Sequence, residues 1–146
     1  MPARPYRCVY WSRQRIDGTP EQVATEIESI LTAARRNNAQ LGITGALAVG
    51  RGIFAQLLEG PRQAVETAFE NIQRDERHGD VQVLAFGPAE QRAFPGWPMA
   101  YVEPSQIGSQ PAASTSTAAV GSTHLEARRL LDIIDSLAVE PQPRRD

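Results

Sequence analysis

The chain has 146 residues, 41% of them hydrophobic and 22% charged, with a formal net charge of -2 and a pI near 5.7. That length accommodates one domain with a real core and room for an appendage, and the slightly acidic balance supplies no global basic field for nucleic acid. Met1-Pro2-Ala3-Arg4-Pro5 lacks the apolar core of a signal peptide, no stretch suits a membrane span, and the single cysteine, Cys8, has no internal disulfide partner, so a cytoplasmic, reducing setting is expected.

The first expected strand runs from about Tyr6 to Ser12, rich in aromatic and β-favouring residues. A polar turn through Arg13–Gly18 leads to Thr19-Pro20-Glu21-Gln22, which joins an N-cap threonine, a first-turn proline and a capping-box glutamine. Val23, Ile27, Ile30, Leu31 and Ala34 then recur at helical spacing. Arg35 and Arg36 are expected in the last turn, with Asn37-Asn38 as the stop. Ile43–Val49 and Ile53–Glu59 read as strands joined by a tight Gly50-Arg51-Gly52 turn. Gly60-Pro61 opens a second helix whose buried face is Val65, Ala68, Phe69 and Ile72. Val81–Phe86 is the next strand, and Phe94 to Val102 reads as a turn entering a short last one. The order β-α-β-β-α-β-β predicts an α+β, ferredoxin-like sandwich, with two helices on one face of a mixed five-stranded sheet.

Residues 1–103 form that domain, and 104–122, rich in Ser, Ala, Thr, Pro and Gly, read as a flexible linker. A C-terminal amphipathic helix is expected over 123–138, with Thr123 and Glu126 as a capping box and Leu130, Ile133, Ile134 and Leu137 as its apolar face. It is too short to be secure alone and must dock on the open sheet face or on a second subunit. Residues 139–146 read as a disordered tail.

One residue breaks the apolar pattern. In Ile53-Phe54-Ala55-Gln56-Leu57-Leu58, alternation puts Gln56 on one face with Phe54 and Leu58. A buried amide needs partners for two donors and an acceptor, and leaving one unpaired costs about 1–3 kcal/mol. The partner is either a neighbouring backbone group or a ligand. Tyr10, Asn37, Asn38, Arg77 and His78 are expected to converge on the same pocket between the helices and the sheet. Each has a structural alternative: a core aromatic for Tyr10, a helix stop for the asparagines, a solvated turn for Arg77-His78.

In order and spacing these groups resemble the BLUF family, the blue-light sensors that use flavin. The resemblance runs from about Tyr6 to Val102. It is carried by Tyr6-Arg7-Cys8-Val9-Tyr10-Trp11-Ser12, Ala34-Arg35-Arg36-Asn37-Asn38, Leu41-Gly42-Ile43-Thr44-Gly45-Ala46-Leu47 and Phe54-Ala55-Gln56-Leu57-Leu58-Glu59-Gly60. Gln73-Arg74-Asp75-Glu76-Arg77-His78 and Phe94-Pro95-Gly96-Trp97-Pro98-Met99 continue it. The resemblance implies that Tyr10 is the photoactive tyrosine and Gln56 the switching glutamine. It further implies that Asn37 and Asn38 hold the pyrimidine end of the flavin ring and Ile30 and Phe54 line it. Arg77 and His78 lie near the ribityl-phosphate side, while Trp97 and Met99 relay the signal. The implied cofactor is non-covalent FAD, with FMN or riboflavin as alternatives. Three positions depart from the usual pattern. Pro98 has no N–H and forces an edge strand or an irregular start; Ala55 stands where a larger apolar residue is common; Asn71 stands where many relatives carry a basic residue.

The expected function is a blue-light photoreceptor rather than an enzyme, since no cyclase or phosphodiesterase-like domain fits in the residues after Val102. Output then passes through protein contacts, with an unspecified downstream protein or a homo-oligomer as partner. The alternatives are a light-insensitive flavin-binding or interaction module and a small flavin-dependent enzyme.

Overall fold

In the computed structural model, residues 4–50, 52–102 and 119–137 are described, with side chains of the last segment from Leu125 onward. The elements are β1 (Tyr6–Gln14), α1 (Pro20–Leu41), β2 (Thr44–Gly50), β3 (Ile53–Gly60), α2 (Arg62–Arg74), β4 (His78–Pro88), β5 (Ala100–Val102) and α3 (Ala119–Leu137). They build one five-stranded sheet in the order β4-β1-β3-β2-β5. All neighbours are antiparallel except β2 and β5, which are parallel. This is the ferredoxin-like α+β sandwich with one added edge strand.

Strand alternation divides the core in two. Cys8, Tyr10, Leu47, Phe54 and Leu58 face α1 and α2, where Ile27, Leu31, Val65 and Phe69 meet them. Trp11, Ala46, Ala48, Ala55 and Leu57 face the other way, onto Ala127, Leu130 and Ile134 of α3. The C-terminal helix therefore covers the open face of its own sheet. Small side chains on β2 and β3 let it come close: a Cβ added at Gly50 would meet the Glu126 carboxylate and Leu130.

Several boundaries differ from the expected ones. The capping box at Thr19 and Gln22 forms as predicted. Asn37 and Asn38, however, do not stop α1, which continues to Leu41 and ends on Gly42 at φ 77°. The left-handed turn there suits glycine better than asparagine, and the Gly42 N–H bonds to the Asn38 carbonyl. Arg35 and Arg36 thus lie upstream of the last turn. β4 begins at His78 rather than Val81, because pairing with β1 extends it to Gln14↔His78. α3 begins at Ala119, which places Thr123 inside the helix and replaces the expected cap; Glu126 pairs instead with Arg129 at 3.0 Å. The remaining linker expected over 104–118 and the tail over 139–146 lie outside the described residues. No described helix is long and apolar enough to cross a membrane. β5 is an edge strand that starts two residues after Pro98, as the missing N–H requires.

Candidate functional site

The α1/α2 face holds a cluster of buried polar groups: Ser12, Asn38, Gln56 and His78, around Tyr10. Tyr10 and Gln56 are directly opposed in the β1–β3 register, so both side chains rise from one cross-strand pair. The Tyr10 hydroxyl donates to Gln56 Oε1. On its other side, Gln56 Nε2 donates to Met99 Sδ at 3.4 Å. The amide therefore sits between a phenol and a thioether. Because the thioether sulfur only accepts, it selects the orientation in which Nε2 faces Met99 and Oε1 faces Tyr10.

Burial holds the Tyr10 hydroxyl well above the ordinary phenol range, with Cys8 and Asp75 adding to the shift, so it stays protonated as a donor. The Cys8 thiol, two residues away on the same face, is pushed up to about 12 by burial and stays neutral. His78 closes the floor of the cluster. Its Nδ1 lies 2.9 Å from Ser12 Oγ, and its ring stands 4.6 Å from Phe54 and 6.2 Å from Tyr10. Desolvation pulls its pKa down to about 4, against a smaller upward pull from Asp75, so the imidazole is neutral at physiological pH.

The predicted residues do not all converge. Asn38 turns inward because it continues the stripe Ile27, Leu31, Asn38, and its Nδ2 donates to the Pro98 carbonyl at 2.9 Å. Asn37, one residue earlier on the helix, is exposed. Ile30 packs partly buried against the core, and Phe54 is fully buried within it. Arg77 stands at the rim with two partners, Asp75 at 2.7 Å and Glu26 at 3.1 Å. Met99 is buried against Gln56, whereas Trp97 is 57% exposed. Asn71 is exposed on α2, and Ala55 is buried on the opposite face, against α3 rather than beside Gln56's ring of partners.

Three contributors carried no role in the sequence reading. Arg35 Nε donates to the Met99 carbonyl at 3.0 Å, tying α1 to the residue that meets Gln56. Ser12 supports His78, a pairing that strand alternation from Tyr10 would have placed on the right face. Glu59, 1% exposed, gathers Thr44 and the backbone of Ala93 and Phe94. A separate cleft of about 870 Å³ opens on the α3 face, lined in part by Val9, Leu57, Leu84, Phe94 and Leu131. Neither Tyr10 nor Gln56 lines it.

Ile27 and Leu31 of α1 and Val65 and Phe69 of α2 share one buried cluster with the strand residues beneath them. On the sheet face that meets α1 and α2, the amides of Asn38 and Gln56 and the phenol of Tyr10 are buried, with Ile30 and Phe54 supplying apolar surface. That donor set fits a flat heteroaromatic ring with hydrogen-bonding edges: amides offer both donor and acceptor, and the aliphatic and aromatic walls pack on its faces.

Fold and site together define an α+β domain of ferredoxin-like architecture with a buried polar cluster on one sheet face. A family model described as sensors of blue-light using FAD matches residues 6–100, and the chain belongs to that family, BLUF. Among curated relatives, the photoactivated adenylate cyclase subunit beta of Euglena longa is 41% identical over 70 residues, covering 48% of this chain. The chain spans about 8% of the length of that relative. Among solved structures, the dark state of the BLUF protein BlrB matches with a TM-score of 0.66 and 32% identity, over 72% of this chain and 76% of that one. The photo-activated state of BlsA matches with a TM-score of 0.67 and 25% identity, over 97% and 99%.

Proposed function

We propose that this chain is a blue-light photoreceptor whose output is a rearranged hydrogen-bond network at Tyr10, Gln56 and Met99, passed on through protein contacts and not through catalysis. The observation that carries this reading is the placement of one buried amide between a protonated phenol and a sulfur acceptor. Asn38, with Asn37 at its margin, would hold the pyrimidine end of the flavin, and Ile30 and Phe54 would flank the ring. The cofactor is FAD, with FMN and riboflavin as alternatives. Arg77 reaches a phosphate only by loosening its pairs with Asp75 and Glu26. Neutral His78 contributes its ring face, not a charge.

Bound here, a flavin that has absorbed blue light supplies a one-electron oxidant. Tyr10 is the residue suited to answer it, because its hydroxyl holds a proton that can leave with an electron and come back with one. Gln56 Oε1 accepts the bond on which that proton rests. While the phenol is altered, the amide loses the donor that held its orientation. A half-turn of the amide, or its tautomerisation, then exchanges donor and acceptor without moving the backbone. Once electron and proton are back on Tyr10, its covalent structure is unchanged, but after a half-turn Oε1 would face Met99, a sulfur that has no hydrogen to donate, whereas tautomerisation would leave the nitrogen there with an altered donor pattern. In the half-turned state the Gln56–Met99 bond is lost, and Met99 is released on its side-chain end while Arg35 still holds its carbonyl. The changed contact biases whatever is attached to Met99.

A downstream protein or a second copy of the chain would read that change in a cytoplasmic setting, with α3 as mediator. The test is the absorption spectrum of the purified protein before and after blue light. A yellow protein whose flavin bands move reversibly to the red is expected, and Tyr10→Phe and Gln56→Leu should bind flavin without the normal response. Protein that stays colourless after incubation with FAD, or unchanged photocycles in both variants, would refute the reading.

A further inference from the structure

Two residues of the family motif, Thr44 and Glu59, have no part in the flavin site, yet Glu59 is among the most enclosed polar side chains of the described residues. They are a cross-strand pair of β2 and β3, on the α3 side of the sheet. Glu59 Oε1 accepts from the Ala93 N–H at 2.7 Å, and Oε2 accepts from the Phe94 N–H at 2.7 Å and from Thr44 Oγ1 at 2.8 Å. Arg92 Nη1 in turn donates to Thr44 Oγ1 at 2.9 Å. Two successive backbone N–H groups and a hydroxyl thus hold one buried carboxylate, a geometry that fixes the segment it grips.

That segment runs from one face of the sheet to the other. Phe94, 5% exposed, belongs to the cluster of Ala127, Leu130 and Ile134 from α3. The chain then turns through Trp97, whose carbonyl accepts from the Gly45 N–H at 3.0 Å beside the start of β2. A Cβ at Gly45 would strike the Leu57 carbonyl of the adjacent β3, so β2 packs against β3 there only with glycine. Pro98 and Met99 arrive on the α1 face, their carbonyls held by Asn38 and Arg35, with Met99 Sδ on Gln56. Gln56 and Glu59 therefore grip opposite ends of the same short strap from opposite faces of one strand.

We propose that Glu59 is a positioning residue for this strap, anchoring the Phe94 end so that a change of Met99 at Gln56 is delivered to α3 rather than dissipated in a loose loop. This rests on the photoreceptor reading above and names the path that its output takes. Release of Met99 Sδ leaves the strap held by backbone bonds whose fixed point is the Glu59 carboxylate, and the side chain nearest that fixed point is the one that seats α3.

The test combines flavin absorption with amide hydrogen exchange on the flavin-loaded full chain, in the dark and under blue light. In the dark, Glu59→Gln should lower protection at the Ala93 or Phe94 amide by about tenfold or more, because one of the two N–H groups then faces an NH2 in place of an oxygen. Under light, wild type should show the red shift together with a change in α3 protection. Glu59→Gln should still show the red shift, with the α3 change reduced to less than about a third. Thr44→Val should act in the same direction and Thr44→Ser should restore the response, which keeps the test open if Glu59→Gln fails to fold. An α3 response in Glu59→Gln and Thr44→Val equal to wild type would overturn the proposal. So would a wild-type red shift with no α3 change, which would leave the photoreceptor reading standing; a wild type with no red shift would instead remove that reading.

Discussion

The two faces of the sheet are built from the same strands but on different chemistry. Toward α1 and α2, β1 and β3 present Tyr10, Ser12 and Gln56, closed by Asn38 and His78, all buried and hydrogen-bonded. Toward α3 they present Trp11, Ala55 and Leu57, with Ala46 and Ala48 from β2, closed by Leu130 and Ile134. One face spends burial on polar groups that have to be satisfied one by one, and the other is a dry seat for a helix. The difference teaches how each face fails under substitution. Leaving one such polar group unsatisfied costs about 1–3 kcal/mol, so a single change on the polar face strands its partners, whereas one on the dry face leaves a void. Glu59 is the exception on the dry side, and it lies where the chain passes between the faces.

If the faces differ in this way, mutations on the dry side should cost stability and leave the flavin response intact. Leu130→Ala, at a fully buried position on α3, should destabilise by about 2–5 kcal/mol in chemical denaturation while the light-induced spectral shift persists. Loss of that shift in folded protein would break the comparison. On the polar face, acid is the sharper probe. His78 has a folded pKa of about 4 against an unfolded value near 6.5, so above pH 6.5 both states are neutral there. As pH falls from 6.5 toward 4, the unfolded chain takes up a proton that the folded chain refuses, and stability should drop by roughly 3 kcal/mol. Denaturant midpoints measured across that window should fall in wild type and flatten in His78→Leu. Ala55→Leu should overpack the α3 seat and cost about 1–3 kcal/mol, again read as a shifted midpoint with an unchanged spectrum. The smallest effect is expected far from both faces: Thr19→Ala removes the α1 cap at Gln22 and should cost about 1 kcal/mol.

Much of this was legible in the sequence, and the misses share a cause. The strand and helix order follows from local periodicity and turn chemistry, and the five-stranded ferredoxin-like sheet agrees with it. Gln56 stood out because an amide interrupted an apolar strand. Asn38 was singled out together with Asn37, although the spacing Ile27, Leu31, Asn38 already continues the buried stripe and separates the two. The helix end was misplaced for a related reason: Asn-Asn resembles a stop, but Gly42 four residues on makes the same left-handed turn at lower cost. Arg77 and His78 looked like one basic pair. The structure separates them into a rim arginine held by two carboxylates and a buried neutral imidazole, because strand pairing with β1 begins at His78.

By itself the sequence determined the order of elements, the family pattern and the identity of the phenol and amide, all of which are set by local spacing or by side-chain chemistry. Only the tertiary structure decided that α3 covers the second face, that Met99 and not Trp97 meets Gln56, and that Glu59 grips the strap between the faces. The physical reason is that a buried polar group is defined by its partners. Those partners lie 46 residues away for Tyr10 and Gln56, 43 for Gln56 and Met99, and 35 for Glu59 and Phe94, brought together only when the sheet has formed.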